Sequence, residues 1–425
     1  MRIELCPGGV SGCVTTPPSK SITHRAVLAA ALARGESRVR NLDFSQDVQA
    51  TLGAAAQIGA DLYIEENWVD VCSKGSLEAP DRPIQCGESA STLRFLIPLL
   101  SLTGQPVEFA GKEGLFRRPM EVYQKIFRAQ GHRFEHSSRG LRLQGALLPG
   151  EYNVRGDVSS QFISGLMLAL PLLGQPSTIR VLPPFQSRPY VEMTRMVLGE
   201  FGVQEFWDAQ DPSLLHIPAP QYYSPRDCTV EGDYSQAAFF AVLGAIRGGV
   251  RLRGLRPDSR QGDAAILDIL ARCGAHYAWD GKDILFEKSP LHAVSVDLTS
   301  CPDLGPILMV LALFCQGTTV ICNAQRLRYK ESDRIAAMQQ ELEKFGGRVQ
   351  ADGGTITVEG CVLHQPALLL GHGDHRVVMS LAIAAAAAGL PTRISGAEAV
   401  RKSWPGFFQV LQTLGIGVRE EKDEA

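Results

Sequence analysis

The stretch "TTPPSKSITHRAVLAAALARG" places Lys20, His24 and Arg25 in the first turns of an otherwise apolar helix. Two prolines end the preceding segment, and Ser19 or Ser21 is placed to cap the helix. Cations at a helix N-terminus oppose the macrodipole, at a cost of a few tenths to about 1 kcal/mol each. They become favourable when an anion sits there. Backbone N–H groups, a serine hydroxyl, Lys20 and Arg25 together describe a phosphate or carboxylate site.

Similar residues recur along the chain. Further helix starts carry Ser91 and Arg94, then Ser159, Ser160 and Gln161, then Asp233, then Asp303, then Asp374, His375 and Arg376. Loops carry Arg117 and Arg118, Ser187 and Arg188, Lys330 and Glu331 with Arg334, and Arg401 and Lys402. Singly, these are ordinary caps and surface cations. Collected in one cleft, at least six cations call for small, multiply charged anions, because burying them without counter-charge is prohibitive. "GxxxxGK[ST]" is absent, and no carboxylate cage for Mg²⁺ is apparent. Phosphate held by side chains and helix ends, without metal or cofactor, suits chemistry in which phosphate is a handle or leaving group.

Composition narrows the classes. The 425 residues carry a formal net charge of −3, which argues against broad nucleic-acid binding. The ten cysteines show no CxxC pair and read as reduced thiols, without a disulfide framework or structural zinc. "MRIELCPGG" lacks the apolar core of a signal peptide, and "VVMSLAIAAAAAGLP" is too short to span a bilayer. A cytoplasmic protein is expected.

The elements that must position these residues repeat. "SITHRAVLAAALARG", "STLRFLIPLLSLTG", "SQFISGLMLALPLLG", "SQAAFFAVLGAIRGG", "LGPILMVLALFCQG" and "HRVVMSLAIAAAAAG" are apolar nearly all round, hence buried, and each runs to a glycine. Behind each comes a short strand, a polar loop and an amphipathic outer helix. The apolar faces of these outer helices include Ile266, Leu270 and Cys273, and Ile335, Met338, Leu342 and Phe345. These outer helices stop at glycines such as Gly59, Gly274 and Gly346, and a β-hairpin is expected next. The sixth copy is truncated and lacks strands of its own, whereas residues 1–16 look like strands without a unit.

Six copies divide as three plus three. One domain is expected over 19–231 and the other over 1–18 plus 232–425, with crossings near 17–19 and 231–233. Equivalent positions in repeated units fall on equivalent sides of a domain. The polar helix starts are therefore expected to face one interdomain cleft.

"PPSKSITHRA", "CGESASTLR", "FRRP", "DVSSQF", "RLRYKESDRI", "GDHRVVMS" and "VRKSWPGFF" resemble, over the whole length, the enolpyruvylshikimate-phosphate (EPSP) synthases. The resemblance implies an α/β (α+β) fold, an inside-out α/β barrel of two domains with three βαβαββ repeats each. It implies transfer of the enolpyruvyl group of phosphoenolpyruvate to the 5-hydroxyl of shikimate 3-phosphate through a tetrahedral intermediate, on the way to chorismate and aromatic amino acids. By the same resemblance Lys20, Ser21, Arg25, Ser159, Ser160, Gln161, Ser187, Asp303 and Lys330 bind shikimate 3-phosphate. Lys20, Ala90, Arg118, Gln161, Arg334, Arg376 and Lys402 bind phosphoenolpyruvate. Asp303 takes the hydroxyl proton, Glu331 serves proton transfer at C3, and Lys20 lies between both substrates; Arg94, Tyr190 and His375 are further candidates.

The chain departs from the family at Glu88, Ser89, Ala90 and Ser91, where Asn-Ala/Ser-Gly-Thr is usual, and at Arg326, where many members carry Asn. Alanine for glycine at position 90 implies weak inhibition by glyphosate. The sister transferase acting on UDP-N-acetylglucosamine carries a cysteine in the loop aligned with "GKEGLFRRP", and this loop has none. A non-catalytic anion-binding protein does not account for Asp303, Glu331 and Lys20 together. The expected partners are the two small substrates, with the protein a monomer and no nucleic acid or membrane involved.

Overall fold

The computed structural model describes residues 1–364 and 368–421. The chain divides into two compact units, Pro18–Glu231 and Met1–Pro17 with Gly232–Ala425. Each has its own hydrophobic core.

Each unit holds three four-stranded sheets of one pattern. The strand Glu151–Arg155 leads through the buried helix Ser160–Ala169 to a parallel partner, Ser177–Leu182. The outer helix Arg188–Glu200 follows, and two antiparallel strands, Phe206–Trp207 and Leu214–Ile217, close the sheet. This is the βαβαββ unit. The same order runs through the repeats beginning at Ile84 and Ser295.

The other three repeats borrow strands from distant sequence. The first, built around the helix Lys20–Leu32, takes its opening strand from Cys228–Thr229, which pairs in parallel with Val39 and Arg40. The fourth takes Gly12–Thr15 beside Val250–Arg253. The sixth, expected to lack strands of its own, has Leu368–Leu370 and Thr392–Ser395 and keeps one strand of the closing pair, Gly417–Glu421. It takes Arg2–Cys6 as the other.

The inner helices are buried because they have no polar side to present. All nine residues of Gly305–Leu313 are buried, and the inner helices of a unit pack on one another. The glycine stops hold in part. Gly248 and Gly389 cap their helices with φ of 77° and 67°, a region glycine enters without a Cβ penalty. Gly35 does not stop its helix. That helix ends at Leu32, and the strand Arg34–Arg40 runs through Gly35.

Candidate functional site

In the unit Pro18–Glu231, the three inner helices begin at Lys20, Ala90 and Ser160. Ser89 and Ser159 cap the second and third, accepting from the backbone N–H of Thr92 and Gln161. Ser19 occupies the cap position of the first, but its hydroxyl makes no capping bond.

The Lys20 ammonium lies 2.7 Å from Oδ2 of Asp47, a buried residue on the outer helix Gln46–Gln57. Arg25 is 2% exposed. Its guanidinium donates to Thr194 Oγ1 at 2.7 Å, the Ser21 carbonyl at 2.6 Å, Ser164 Oγ at 3.3 Å and the Tyr190 carbonyl at 3.2 Å. It also stacks over Phe95 at 5.0 Å. Among the described residues no carboxylate pairs with it. Burial lowers its pKa to about 10, with the Tyr190 side chain opposing. Such a cation gains most from an anionic ligand.

Gln161 bridges two helix starts, accepting from Arg94 at 2.8 Å and donating to Ser91 at 2.9 Å. Arg94 reaches the Ser159 hydroxyl at 3.4 Å and the carbonyl of Pro119, the residue after Arg118, at 3.0 Å. Ser187 is buried and sits at φ 56°, ψ 34°. A non-glycine residue held in the left-handed region costs about 1–3 kcal/mol. Arg117 pairs with Glu113, Arg188 stacks on Trp207, and Arg401 is exposed, so these loop cations belong to the surface.

In the other unit, Asp303 lies in the turn Pro302–Leu304 before the helix Gly305–Leu313. Its carboxylate meets Lys330 at 2.9 Å, Arg334 at 3.1 Å and Arg376 at 3.5 Å. Arg334, 1% exposed, also donates to Glu331 at 2.7 Å and to Asp374 at 2.8 Å. Lys402 is 3.1 Å from Glu331. Four cations, Lys330, Arg334, Arg376 and Lys402, interlock with three carboxylates, Asp303, Glu331 and Asp374, one positive charge in excess. Asp374 caps the helix His375–Ala388 through Arg376 N–H at 2.9 Å. His375 is buried at the start of that helix.

The family model of EPSP synthase (3-phosphoshikimate 1-carboxyvinyltransferase) matches residues 6–411. The chain belongs to the EPSP synthase family. A 3-phosphoshikimate 1-carboxyvinyltransferase of Clostridium kluyveri is 39% identical over 420 residues, 98% of each chain. That of Clostridioides difficile is 36% identical, with 98% of each covered. An EPSP synthase structure from Acinetobacter baumannii aligns with 99% of this chain and 100% of that one, with a TM-score of 0.80 and 25% identity. The enolpyruvyl transferase NikO from Streptomyces tendae shares the fold at a TM-score of 0.81 and 20% identity, covering 98% of both chains.

The electrostatics of the cluster around Asp303 are set by competition. Burial works against the Asp303 charge, but Lys330, Arg376 and Arg334 outweigh it and hold the carboxyl well below the usual carboxylate range. Burial is also the main influence on Lys330. Aided by Arg334 and Arg326 and opposed by Asp303, it lowers that ammonium's pKa. Around Arg334, burial is overcome by Asp374, Glu331 and Asp303, and the guanidinium is held more firmly protonated. An ionised acid among tethered cations can accept a proton once anions engage those cations.

Sequence reasoning missed the supporting residues. Asp47, Ser164 and Thr194 orient Lys20 and Arg25, whereas Asp374, singled out only as a residue at a helix start, also anchors Arg334. None lies in a motif with Lys20 or Arg25, and the Arg25 bonds span 139 and 169 residues. Among the described residues there is no group of three metal-ligating side chains, and no helix is long and apolar enough to cross a membrane.

Proposed function

We propose that this EPSP synthase joins phosphoenolpyruvate to the 5-hydroxyl of shikimate 3-phosphate with release of inorganic phosphate. The observation that carries the reading is Asp303, an ionised carboxylate within 3.5 Å of Lys330, Arg334 and Arg376. The hydroxyl oxygen bonds to C2 of phosphoenolpyruvate, its proton passes to Asp303, and C3 is protonated from the side of Glu331. The resulting ketal phosphate loses phosphate as its C–O bond breaks, and a C3 proton departs to restore the double bond.

In this scheme Ser21, Arg25, Ser159, Ser160, Gln161, Ser187 and Lys330 hold shikimate 3-phosphate. Ala90, Arg118, Gln161, Arg334, Arg376 and Lys402 hold phosphoenolpyruvate, and Lys20 serves both. Forked guanidinium groups match phosphate and carboxylate geometry, and cations preorganised by Asp374 and Glu331 stabilise the developing oxyanions. Substrate anions engage Lys330, Arg334 and Arg376, reducing their hold on Asp303 and raising its proton affinity when a base is needed. Arg94, Tyr190 and His375 support this arrangement. The enzyme acts as a cytoplasmic monomer without a cofactor.

The test is phosphate release from phosphoenolpyruvate with shikimate 3-phosphate or UDP-N-acetylglucosamine as acceptor. Release with the first alone is expected. Release with only the second, or with neither, overturns the reading. Light scattering on eluted protein checks the monomer.

A further inference from the structure

A single file of polar side chains runs through the core of Pro18–Glu231. His24 Nδ1 lies 2.6 Å from Thr51 Oγ1, and Thr51 Oγ1 lies 2.6 Å from Thr92 Oγ1. Thr92 donates to Ser89 Oγ at 2.7 Å. All four are at most 1% exposed. They join three helices, Lys20–Leu32, Gln46–Gln57 and Ala90–Ser101. The file ends on the cap of the last, since Ser89 Oγ also accepts from Thr92 N–H at 3.3 Å.

The direction of this file follows from counting protons. A threonine hydroxyl has one to give. Thr92 gives its proton to Ser89, so the Thr51–Thr92 bond must be donated by Thr51. Thr51 then has only acceptor capacity left for His24. The imidazole must therefore carry its proton on Nδ1, leaving Nε2 bare. Nε2 is indeed buried without a hydrogen-bond partner, and an orphaned N–H there would be the rarer arrangement. Burial, aided by Lys20 and Arg25 and opposed by Asp47, lowers the His24 pKa to about 3, so the ring stays neutral.

We propose that His24, acting through Thr51 and Thr92, is a positioning residue for the phosphoenolpyruvate pocket. It fixes the first turn of the helix Ala90–Ser101 against the helix that carries Lys20 and Arg25. The proposal rests on the functional reading above. Ala90, Ser91 and Arg94 all lie in the turns held by this file. Apolar contacts alone would leave small rotations and slides of one helix on another, and displacements near 1 Å at a binding group are costly. Directional bonds between neutral groups remove that freedom without adding charge to a site already rich in cations.

The experiment compares Thr51→Val, which removes the hydroxyl at nearly constant volume, with Thr51→Ser, which keeps it. Thr51→Val is expected to raise KM for phosphoenolpyruvate about tenfold, the scale of one buried hydrogen bond. Its kcat should stay within about threefold, and its KM for shikimate 3-phosphate should rise less than that for phosphoenolpyruvate, because Arg25 on the His24 helix keeps its bonds to Thr194, Ser164 and the Ser21 and Tyr190 carbonyls. Thr51→Ser should restore the wild-type value. His24→Asn, which interrupts the file at its other end, should give the same split if Thr51→Val does not fold. Nitrogen-15 correlation spectra of the wild type should show the Nδ1–H tautomer. An Nε2–H tautomer, parallel loss toward both substrates, unchanged KM in Thr51→Val, or Thr51→Ser behaving like Thr51→Val would overturn the positioning role. Failure of the wild type to release phosphate with shikimate 3-phosphate would instead overturn the functional reading.

Discussion

Arg334 and Asp374 meet as a fork on a carboxylate, Nε 2.8 Å from Oδ2 and Nη2 3.3 Å from Oδ1, with both side chains almost wholly out of solvent. Asp374 also accepts from Ser332 Oγ at 3.1 Å and caps the helix that begins at His375. One carboxylate thus fixes one proposed substrate cation directly and another, Arg376, through its backbone. Removing one member of a buried pair leaves an uncompensated charge and typically costs about 3–5 kcal/mol. Asp374→Asn keeps some of the cap and hydrogen bonding, so a loss of about 2–4 kcal/mol is expected. Denaturant unfolding measures it, and KM for phosphoenolpyruvate should rise as well. A stability within about 0.5 kcal/mol of wild type would show that Glu331 and Asp303 suffice for Arg334.

Asp303 should matter for turnover more than for binding. Asp303→Asn keeps the shape and removes the basicity, and kcat is expected to fall at least about 10²-fold, the usual scale for a general base. Because three cations hold its carboxyl well below the ordinary range, its stabilising contribution is present above the unfolded value near pH 4 and is lost as pH falls through the folded value. The free enzyme therefore keeps this base ionised through neutrality, and kcat/KM should show no acid limb from Asp303 above about pH 5. A variant with near wild-type kcat, or an acid limb near pH 6 that disappears in Asp303→Asn, would contradict this.

Glu205 presents the opposite case. It lies just before the strand Phe206–Trp207, is 5% exposed, and neither carboxylate oxygen has a hydrogen-bond partner. Burial pushes its pKa well above the usual value, with Arg195 opposing. The folded state then binds a proton that the unfolded chain releases, so stability falls as pH rises from about 4 toward the folded value. The slope within that window is about 1.4 kcal/mol per pH unit. Glu205→Gln should remove it, raising Tm at pH 8 more than at pH 5. Equal shifts at the two values would mean that Glu205 does not titrate in this range.

The repeats were legible because each inner helix lacks a polar face and each outer helix has one. Those patterns are local and survive without knowing what packs against them. The strand Cys228–Thr229 was not legible. It has two residues, and its partners Val39 and Arg40 are almost 190 residues away. The same limit applies to the site. Lys20, Arg25, Asp303 and Arg376 stand out as charges at helix starts, where a charge needs a reason. Thr51 and Thr194 do not, because a threonine in an amphipathic helix is ordinary until the fold brings His24 or Arg25 against it. Gly35 misled as a stop signal, since glycine marks a bend or backbone approach inside a strand as readily as a helix end.

Ala90 begins the helix Ala90–Ser101 and is 7% exposed, so its methyl group sits largely inside the protein at the start of that helix. The family resemblance implies glycine at this position, with the backbone close to the proposed phosphoenolpyruvate pocket. Phosphoenolpyruvate is short. Glyphosate, which by the family resemblance would share this pocket, is longer when extended, and an added methyl should meet it first. One methyl group typically shifts discrimination by about 1–3 kcal/mol, roughly tenfold or more in relative affinity. The helix start cannot move freely to absorb the clash, because Ser89, the preceding cap, is tied to Thr92 and through it to Thr51 and His24. Weak inhibition of the wild type by glyphosate is therefore expected, and Ala90→Gly should strengthen it while changing KM for phosphoenolpyruvate less. The measurement is the inhibition constant of both forms against phosphoenolpyruvate. Tight inhibition of the wild type, or no gain on Ala90→Gly, would contradict the steric account. A gain in Ala90→Gly that is matched by Thr51→Val alone would instead place the discrimination in the helix position and not in the methyl.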